Sequence, residues 1–177
     1  MGWMYTSKPK HVKVKDFFQS QFGNNVEILD CKVKNLRTAY MAVKEKATGS
    51  VCAVVCLLNY VPNDVYNFGY KDMDESCGPN ADECPESVLN RLTKTDNDYA
   101  LEWRKACREN IVDRKNKPRL KFGDKVVFDD RLTFGGEQVQ EFDIYLPRKS
   151  LFKNKGRIYK IHGWRKMKYH LKDKVTT

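Results

Sequence analysis

The chain has no run of about 18 uncharged apolar residues, the length a helix needs to cross a bilayer, so no membrane span is expected. Histidine is scarce, with three in all (His11, His162 and His170), which leaves little material for imidazole metal sites or for Ser–His and Cys–His pairs. The Gly-x-Ser-x-Gly elbow, the Walker phosphate loop and the dinucleotide-binding glycine fingerprint are all missing, so the common hydrolase, triphosphatase and dehydrogenase classes have no support. The start does not read as a secretory signal: Met1-Gly-Trp-Met-Tyr-Thr6 runs straight into Lys8, Lys10, Lys13 and Lys15 without an apolar core. It fits the loose acylation pattern Met-Gly-x-x-x-Thr, but the bulky Trp3 counts against that. The expectation is a cytoplasmic protein whose six cysteines stay reduced.

What is present argues for a packed core. Of 177 residues, 41% are hydrophobic and 12% aromatic, enough for one domain or one domain with a small appendage. Charge is unevenly spread. Residues 1–114 carry 16 bases and 16 acids, whereas residues 115–177 carry 17 bases and 7 acids and hold the whole net charge of +10. A field of one sign confined to one region points to an anionic partner there, most commonly nucleic acid.

Residues 15–22 place Phe17, Phe18 and Phe22 at helical spacing before Gly23-Asn24-Asn25. Residues 26–36, 38–45 and 50–60 read as three strands with short connections, with a bulge near Asp30-Cys31 and a turn at Lys46-Ala-Thr-Gly49. Such a meander needs a helical cover. Pro85-Glu86 opens one helix, and Thr95 followed by Asp98 signals a second over residues 96–110, with Tyr99, Trp103, Ala106 and Cys107 on one face. Beyond the polar hinge 113–118, short strands are expected over 119–122, 125–128, 139–146, 156–161 and 166–171, with glycine in the turns between. The expected fold class is therefore α+β. An antiparallel three-stranded meander covered by helices (residues 1–114, with an acidic loop) is followed by a small, basic, SH3-like β-barrel (residues 115–177).

Two constellations could carry function. From Pro147 to Lys172 there are ten bases and no acid. Arg148, Lys149, Lys153, Lys155, Arg157, Lys160, Arg165, Lys166 and Lys168 are the candidate phosphate contacts, since lysine and arginine neutralise phosphates with counter-ion release. Phe152, Tyr159, Trp164 and Tyr169 are interleaved with them; such rings either stack on bases or turn inward, and alternation favours the core for Tyr159 and Trp164.

The second is the acidic stretch. Residues 64–86 hold seven acids, Asp64 among them, against the single base Lys71. Asp72, Asp74 and Glu75 are candidates for docking a basic protein or mimicking phosphate. Counted from Asp72 the stretch partly follows an EF-hand loop, but Cys77 stands where the turning glycine belongs and Pro79 follows. Cys77 and Cys84 lack a second pair for zinc. No metal, cofactor or catalytic residue is assigned. The blander alternatives are a solvated loop, or a capping network pinning the loop to the helices.

Tyr70-Lys-Asp-Met-Asp-Glu-Ser-Cys-Gly-Pro79, Cys84-Pro-Glu86, Leu92-Thr93, Tyr99-Ala100 and Trp103-Arg-Lys-Ala-Cys-Arg-Glu-Asn110, with Met1-Gly-Trp3 and Leu120-Lys-Phe-Gly-Asp-Lys125, give the chain its signature. In these motifs it resembles an uncharacterised family carried on bacterial plasmids, phages and conjugative elements. The resemblance implies an accessory protein of mobile DNA, of the kind that counters host defences, including anti-CRISPR proteins that bind effector nucleases with their nucleic acid. The resulting expectation is a non-enzymatic protein that binds nucleic acid or a nucleoprotein, with a host defence nuclease as a further partner and no membrane. The alternative is a metal-dependent nucleic-acid-processing enzyme with Asp72, Asp74 and Glu75 at its centre. A pure protein-interaction module is a third reading.

Overall fold

The strands expected over residues 26–60 form, and two more join them. The computed structural model describes residues 2–61, 65–80 and 82–172; Asp64 lies outside these, as do the side chains of Arg148 and Lys166. The chain divides into two units, Met1–Asp113 and Arg114–Thr177, one residue from the boundary the charge distribution suggests. Both are built from antiparallel sheets, so the chain is α+β.

In the first unit β1 (Met4–Thr6), β2 (Val26–Lys34), β3 (Thr38–Glu45), β4 (Val51–Tyr60) and β5 (Phe68–Asp74) form one five-stranded sheet in the order β1-β5-β4-β3-β2. The three-strand expectation is corrected here. Gly69 and the acids of 68–74 depress strand propensity, but Phe68 and Tyr70 alternate onto a buried face and the segment pairs with β4 from Tyr60↔Phe68 to Val54↔Asp74. The acidic loop is thus half strand. The bulge signalled at Asp30 appears as a register shift between Ile28 and Asp30.

Both faces of the sheet are covered, not one. On the first, α1 (Val14–Phe22) buries Phe17 and Phe18 against Met41, Cys56, Leu58, Phe68 and Tyr70, each ring contributing roughly 1.5–3 kcal/mol. Gln19 fixes that helix: its Oε1 accepts from Ile28 N–H at 2.8 Å and its Nε2 donates to Val26 C=O at 3.0 Å. On the second face α2 (Glu86–Leu89) and α3 (Asp98–Asn116) cover Tyr40, Ala42, Ala53 and Val55 with Val88, Leu89, Trp103 and Cys107. Asn97, not Thr95, caps α3, accepting from Ala100 N–H at 3.0 Å. The buried stripe is Ala100–Trp103–Cys107, and Tyr99, expected inside, is 67% exposed. Small Ala100 lets the helix approach where a tyrosine would hold it off.

In the second unit β6 (Val126–Phe134), β7 (Glu137–Phe142), β8 (Ile144–Leu146), β9 (Leu151–Asn154), β10 (Arg157–Lys160) and β11 (Tyr169–Leu171) form two three-stranded sheets, β11-β6-β7 and β10-β9-β8. They share one core of Val126, Phe128, Val139, Phe142, Tyr145, Phe152, Tyr159, Trp164 and Tyr169. Residues 119–122 are not the strand expected: Asp124 accepts from Lys121 N–H at 2.6 Å and Gly123 takes φ 83°, which makes a turn. The span 139–146 is two strands broken at Asp143, and β9 was not anticipated. Among the described residues no helix is long and apolar enough to cross a membrane.

Candidate nucleic-acid interface

The β9–β10 hairpin turns through Lys155-Gly156, between the paired residues Asn154 and Arg157. Both turn residues have positive φ, 45° and 83°, the two-residue turn whose twist suits a hairpin and which favours Asn-Gly or Gly-Gly. That register decides which way each side chain points. Tyr145, Phe152 and Tyr159 lie in one row across the three strands and face the core, so the flanking rows, Ile144–Lys153–Ile158 and Leu146–Leu151–Lys160, face outward. Lys153 and Lys160 therefore occupy neighbouring strands of one surface, in adjacent rows. Exposed Lys149 and Lys155 stand in the turns before and after β9. None of these four lysines forms an ion pair among the described residues.

The other candidates divide. Arg157 is exposed but meets Glu137 at 2.9 Å across the edge, a surface pair worth no more than about 1 kcal/mol. Arg165 lies over the Trp164 ring, 4.8 Å from its centroid. Lys168 is exposed on the approach to β11. For Arg148 and Lys166 only the backbone is described, in short 3-10 turns.

The rings interleaved with the strip are not a stacking surface. Phe152, Tyr159, Trp164 and Tyr169 are each buried to within 9% of full cover; on β9 and β10 period-two alternation sends Phe152 and Tyr159 inward where it sends Lys153 and Lys160 out, and Trp164 packs in from a 3-10 turn. Outward they are replaced by apolar side chains, above all Ile158 at 61% exposure. Acids concentrate in the other sheet of the unit, with Asp129, Asp130, Glu137 and Glu141 on β6 and β7. Asp143, which sequence reasoning passed over, closes the basic hairpin: its carboxylate accepts from Lys155 N–H at 3.1 Å and its own N–H donates to Lys153 C=O at 2.8 Å.

Lys155 sits in a left-handed conformation that a β-carbon disfavours. Backbone strain held at such a position is a pointer to function. Lys155→Asn, the residue this turn prefers, is expected to stabilise the fold by about 0.5–1 kcal/mol and to weaken the nucleic-acid binding proposed below for this face. Urea denaturation and a binding titration on the same preparation check both halves.

The acidic trio is not brought together. Asp72 and Asp74 pair with Cys56 and Val54 and share the α1 face of the sheet, whereas Glu75 turns to the opposite side, where Arg104 of α3 grips it at 2.6 and 2.5 Å. Glu75 is 4% exposed and so cannot line a docking surface. Asp74 caps the 3-10 turn Glu75–Cys77, its Oδ1 accepting from Ser76 N–H at 2.9 Å. The stretch behaves as the capping and pinning network named above as the blander alternative. Arg104 was missed; its signal was an arginine next to Trp103 in the helix, with a carboxylate in the acidic stretch before it. Among the described residues no three His, Cys, Asp or Glu side chains converge as a metal site would require. Tyr99 flanks a shallow cleft of about 280 Å³ with Glu102, Trp103, Asn80 and Asp82.

The cysteines are weak nucleophiles where they are buried. Burial, with the Asp30 carboxylate adding to it, pushes the Cys31 thiol up to about 11. Burial raises Cys56 and Cys84 as well, so thiolate is scarce at neutral pH.

Residues 94–166 match a family described as a domain of unknown function (DUF6927). The match covers less than half of the chain, from just before α3 to the 3-10 turn at Trp164. It includes the whole basic hairpin and Arg104. No curated protein matches the chain, nor does any solved structure.

Proposed function

We propose that this is a non-enzymatic nucleic-acid-binding accessory protein of a mobile element, acting in the cytoplasm against a host defence nuclease, such as a CRISPR effector, at its nucleic acid. The observation that carries the reading is the outward face of β9 and β10. Lys153 and Lys160 share it, Lys149 and Lys155 flank it, none of the four is ion-paired among the described residues, and Asp143 is the one carboxylate that the hairpin's own hydrogen bonds bring to it. Like charges on adjoining strands repel, and a polyanion relieves that cost while releasing its counter-ions. We further assign the two sheets of the second unit to a small SH3-like barrel, on the strength of their shared aromatic core and the single-residue corner at Asp143. The defence context rests on the sequence resemblance to proteins of mobile elements. No observation favours the metal-dependent alternative, since the sheet separates Glu75 from Asp72 and Asp74.

The test is a titration against labelled duplex DNA, single-stranded DNA and RNA at several salt concentrations, with and without Mg²⁺. Binding without cleavage is expected. In the triple variant Lys153→Glu, Lys155→Glu, Lys160→Glu the slope of log affinity against log salt should shrink by about 2–3, at roughly 0.7–0.9 per lost phosphate contact. Unchanged affinity and slope in that variant would falsify the assignment of this face.

A further inference from the structure

The rings that sequence order placed among the C-terminal lysines are buried, so any surface for stacking on bases must lie elsewhere. The first unit has one. Its helices α2 and α3 cover only one end of their side of the sheet, over Tyr40, Ala42, Ala53 and Val55. Strand alternation carries the same face on along β4 to Leu57 and Asn59, across β5 to Lys71 and Gly69, and onto β1 at Tyr5, through the pairs Leu57↔Lys71, Asn59↔Gly69 and Tyr5↔Gly69. At this end Tyr5 is 51% and Trp3 44% exposed. Their rings stack, with centroids 6.4 Å apart and planes 29° from parallel.

Gly69 shows how the platform is seated. A β-carbon there would come within 2.9 Å of Tyr5 Cε1 and 3.0 Å of Cδ1, so the tyrosine ring rests on bare backbone and presents its other side to solvent. Covering a strand glycine with an aromatic ring from the neighbouring strand is a known structural device, and it accounts for Tyr5, on the edge strand beside Gly69. It does not account for Trp3, stacked beside it. Edge strands are ordinarily blunted with charge or proline, not with a second large ring. Trp103 and Trp164 are 5% and 7% exposed, so Trp3 is the tryptophan available to a ligand.

The electrostatics select the ligand. Lys71, next to Gly69 in this face's pattern, forms no ion pair among the described residues. Asp72 and Asp74 point to the opposite face. Lys34, at the far side of the Leu57–Lys71 row, is held by Glu83 through its backbone carbonyl at 2.6 Å and its carboxylate at 3.8 Å. Among the described residues, what faces solvent beside the two rings is therefore one uncommitted cation and the amide of exposed Asn59. Exposed rings on a sheet face next to a lysine suit unpaired bases, whose faces a duplex hides.

We propose that the uncovered end of the five-stranded sheet binds single-stranded nucleic acid, with Trp3 and Tyr5 stacking on bases and Lys71 meeting the backbone phosphate. This rests on the reading that the chain binds nucleic acid, and it adds the strand state of the ligand and a second site.

The experiment uses the full chain with oligo-dT and oligo-U 12-mers and a duplex of equal length, followed by tryptophan emission and by anisotropy of labelled strands. Single strands should quench the wild-type emission. Trp3→Leu should remove most of that quenching and weaken single-strand binding roughly 5- to 100-fold, with duplex affinity unchanged. Trp3→Phe, which keeps a ring, should fall between, whereas a merely apolar cover would make leucine and phenylalanine equivalent. Lys71→Gln should lower the single-strand salt slope by about 0.7. Urea midpoints close to wild type establish that Trp3→Leu folds. If oligo-dT binds without quenching and Trp3→Leu binds it as tightly as wild type, the platform is wrong. Should the triple lysine variant lose binding in that case, the C-terminal interface stands alone. A wild-type protein that binds no nucleic acid overturns both.

Discussion

Arg104→Ala is expected to cost about 3–5 kcal/mol of stability, a large share of what a domain of this size possesses. The guanidinium joins three segments. Its Nε and Nη2 donate to both oxygens of Glu75 at the end of β5, and its Nη1 donates to Thr93 C=O at 2.6 Å. Thr93 in turn exchanges backbone and hydroxyl hydrogen bonds with Val51 at the start of β4. The two charged side chains are 14% and 6% exposed. Truncating the arginine leaves the Glu75 carboxylate without water or partner, and that uncompensated charge is the source of the loss. The double replacement Glu75→Gln, Arg104→Met removes both charges and should recover most of it, because a buried pair gains little over well-packed neutral groups. Urea midpoints of the two variants decide the matter: a single variant within 0.5 kcal/mol of wild type, or a double variant no better than the single, would show that the pair does not pin the loop.

That arrangement also shows where sequence reasoning stopped. β3 was placed to the residue because the turn at Lys46–Gly49 bounds it, although Ala39–Val43 is an apolar run buried on both faces and not the alternation expected. α1 was readable because aromatic spacing and a polar stop bracket it; α3 was placed, but it runs on from the expected end at Asn110 to Asn116, because the charged residues that read as a hinge continue the helix. β5 was not, since Asp72, Asp74 and Gly69 argue against a strand locally, and only the long-range partner β4 outweighs them. The same competition governs 119–122, where apolar Leu120 and Phe122 suggest a strand but the Asp124 side chain and Gly123 make a turn.

For the candidate sites the lesson runs through side-chain direction. Charge along 147–172 is visible in one dimension, and its confinement to this unit needs no structure. Which of those bases share a surface depends on strand breaks at Asp143 and at Lys155-Gly156, which set the register. The acidic stretch misled for a related reason. Its carboxylates lie within four residues of sequence, but a strand sends Asp72 and Asp74 one way, and the 3-10 turn delivers Glu75 to Arg104. Tyr5, on a three-residue edge strand, and Trp3, just before it, were not read as a binding surface because they have no apolar run around them.

Phe152→Ala is expected to unfold the second unit, and with it the basic face. Phe152 is fully buried on β9, with the rings of Phe128, Phe142, Tyr145 and Trp164 at 5.4, 5.5, 5.1 and 5.5 Å. Removing it forfeits the transfer energy of a phenyl group and leaves a hole among side chains already close-packed, a cost of about 3–5 kcal/mol. A core of this size supplies rarely more than about 3–5 kcal/mol in total, so the loss equals the whole margin. Lys153 follows Phe152 in the strand, and its outward position depends on that ring pointing in. The variant should lose near-ultraviolet circular dichroism, expose Trp164 to solvent with a red-shifted emission, and lose the nucleic-acid binding proposed for the lysine face. Phe152→Leu, which keeps most of the volume, should cost about 1.5 kcal/mol or less and preserve binding. If the alanine variant stayed folded yet failed to bind, the lysines would be acting through something other than the hairpin's geometry. If it stayed folded and bound normally, the aromatic core would not be what positions the interface.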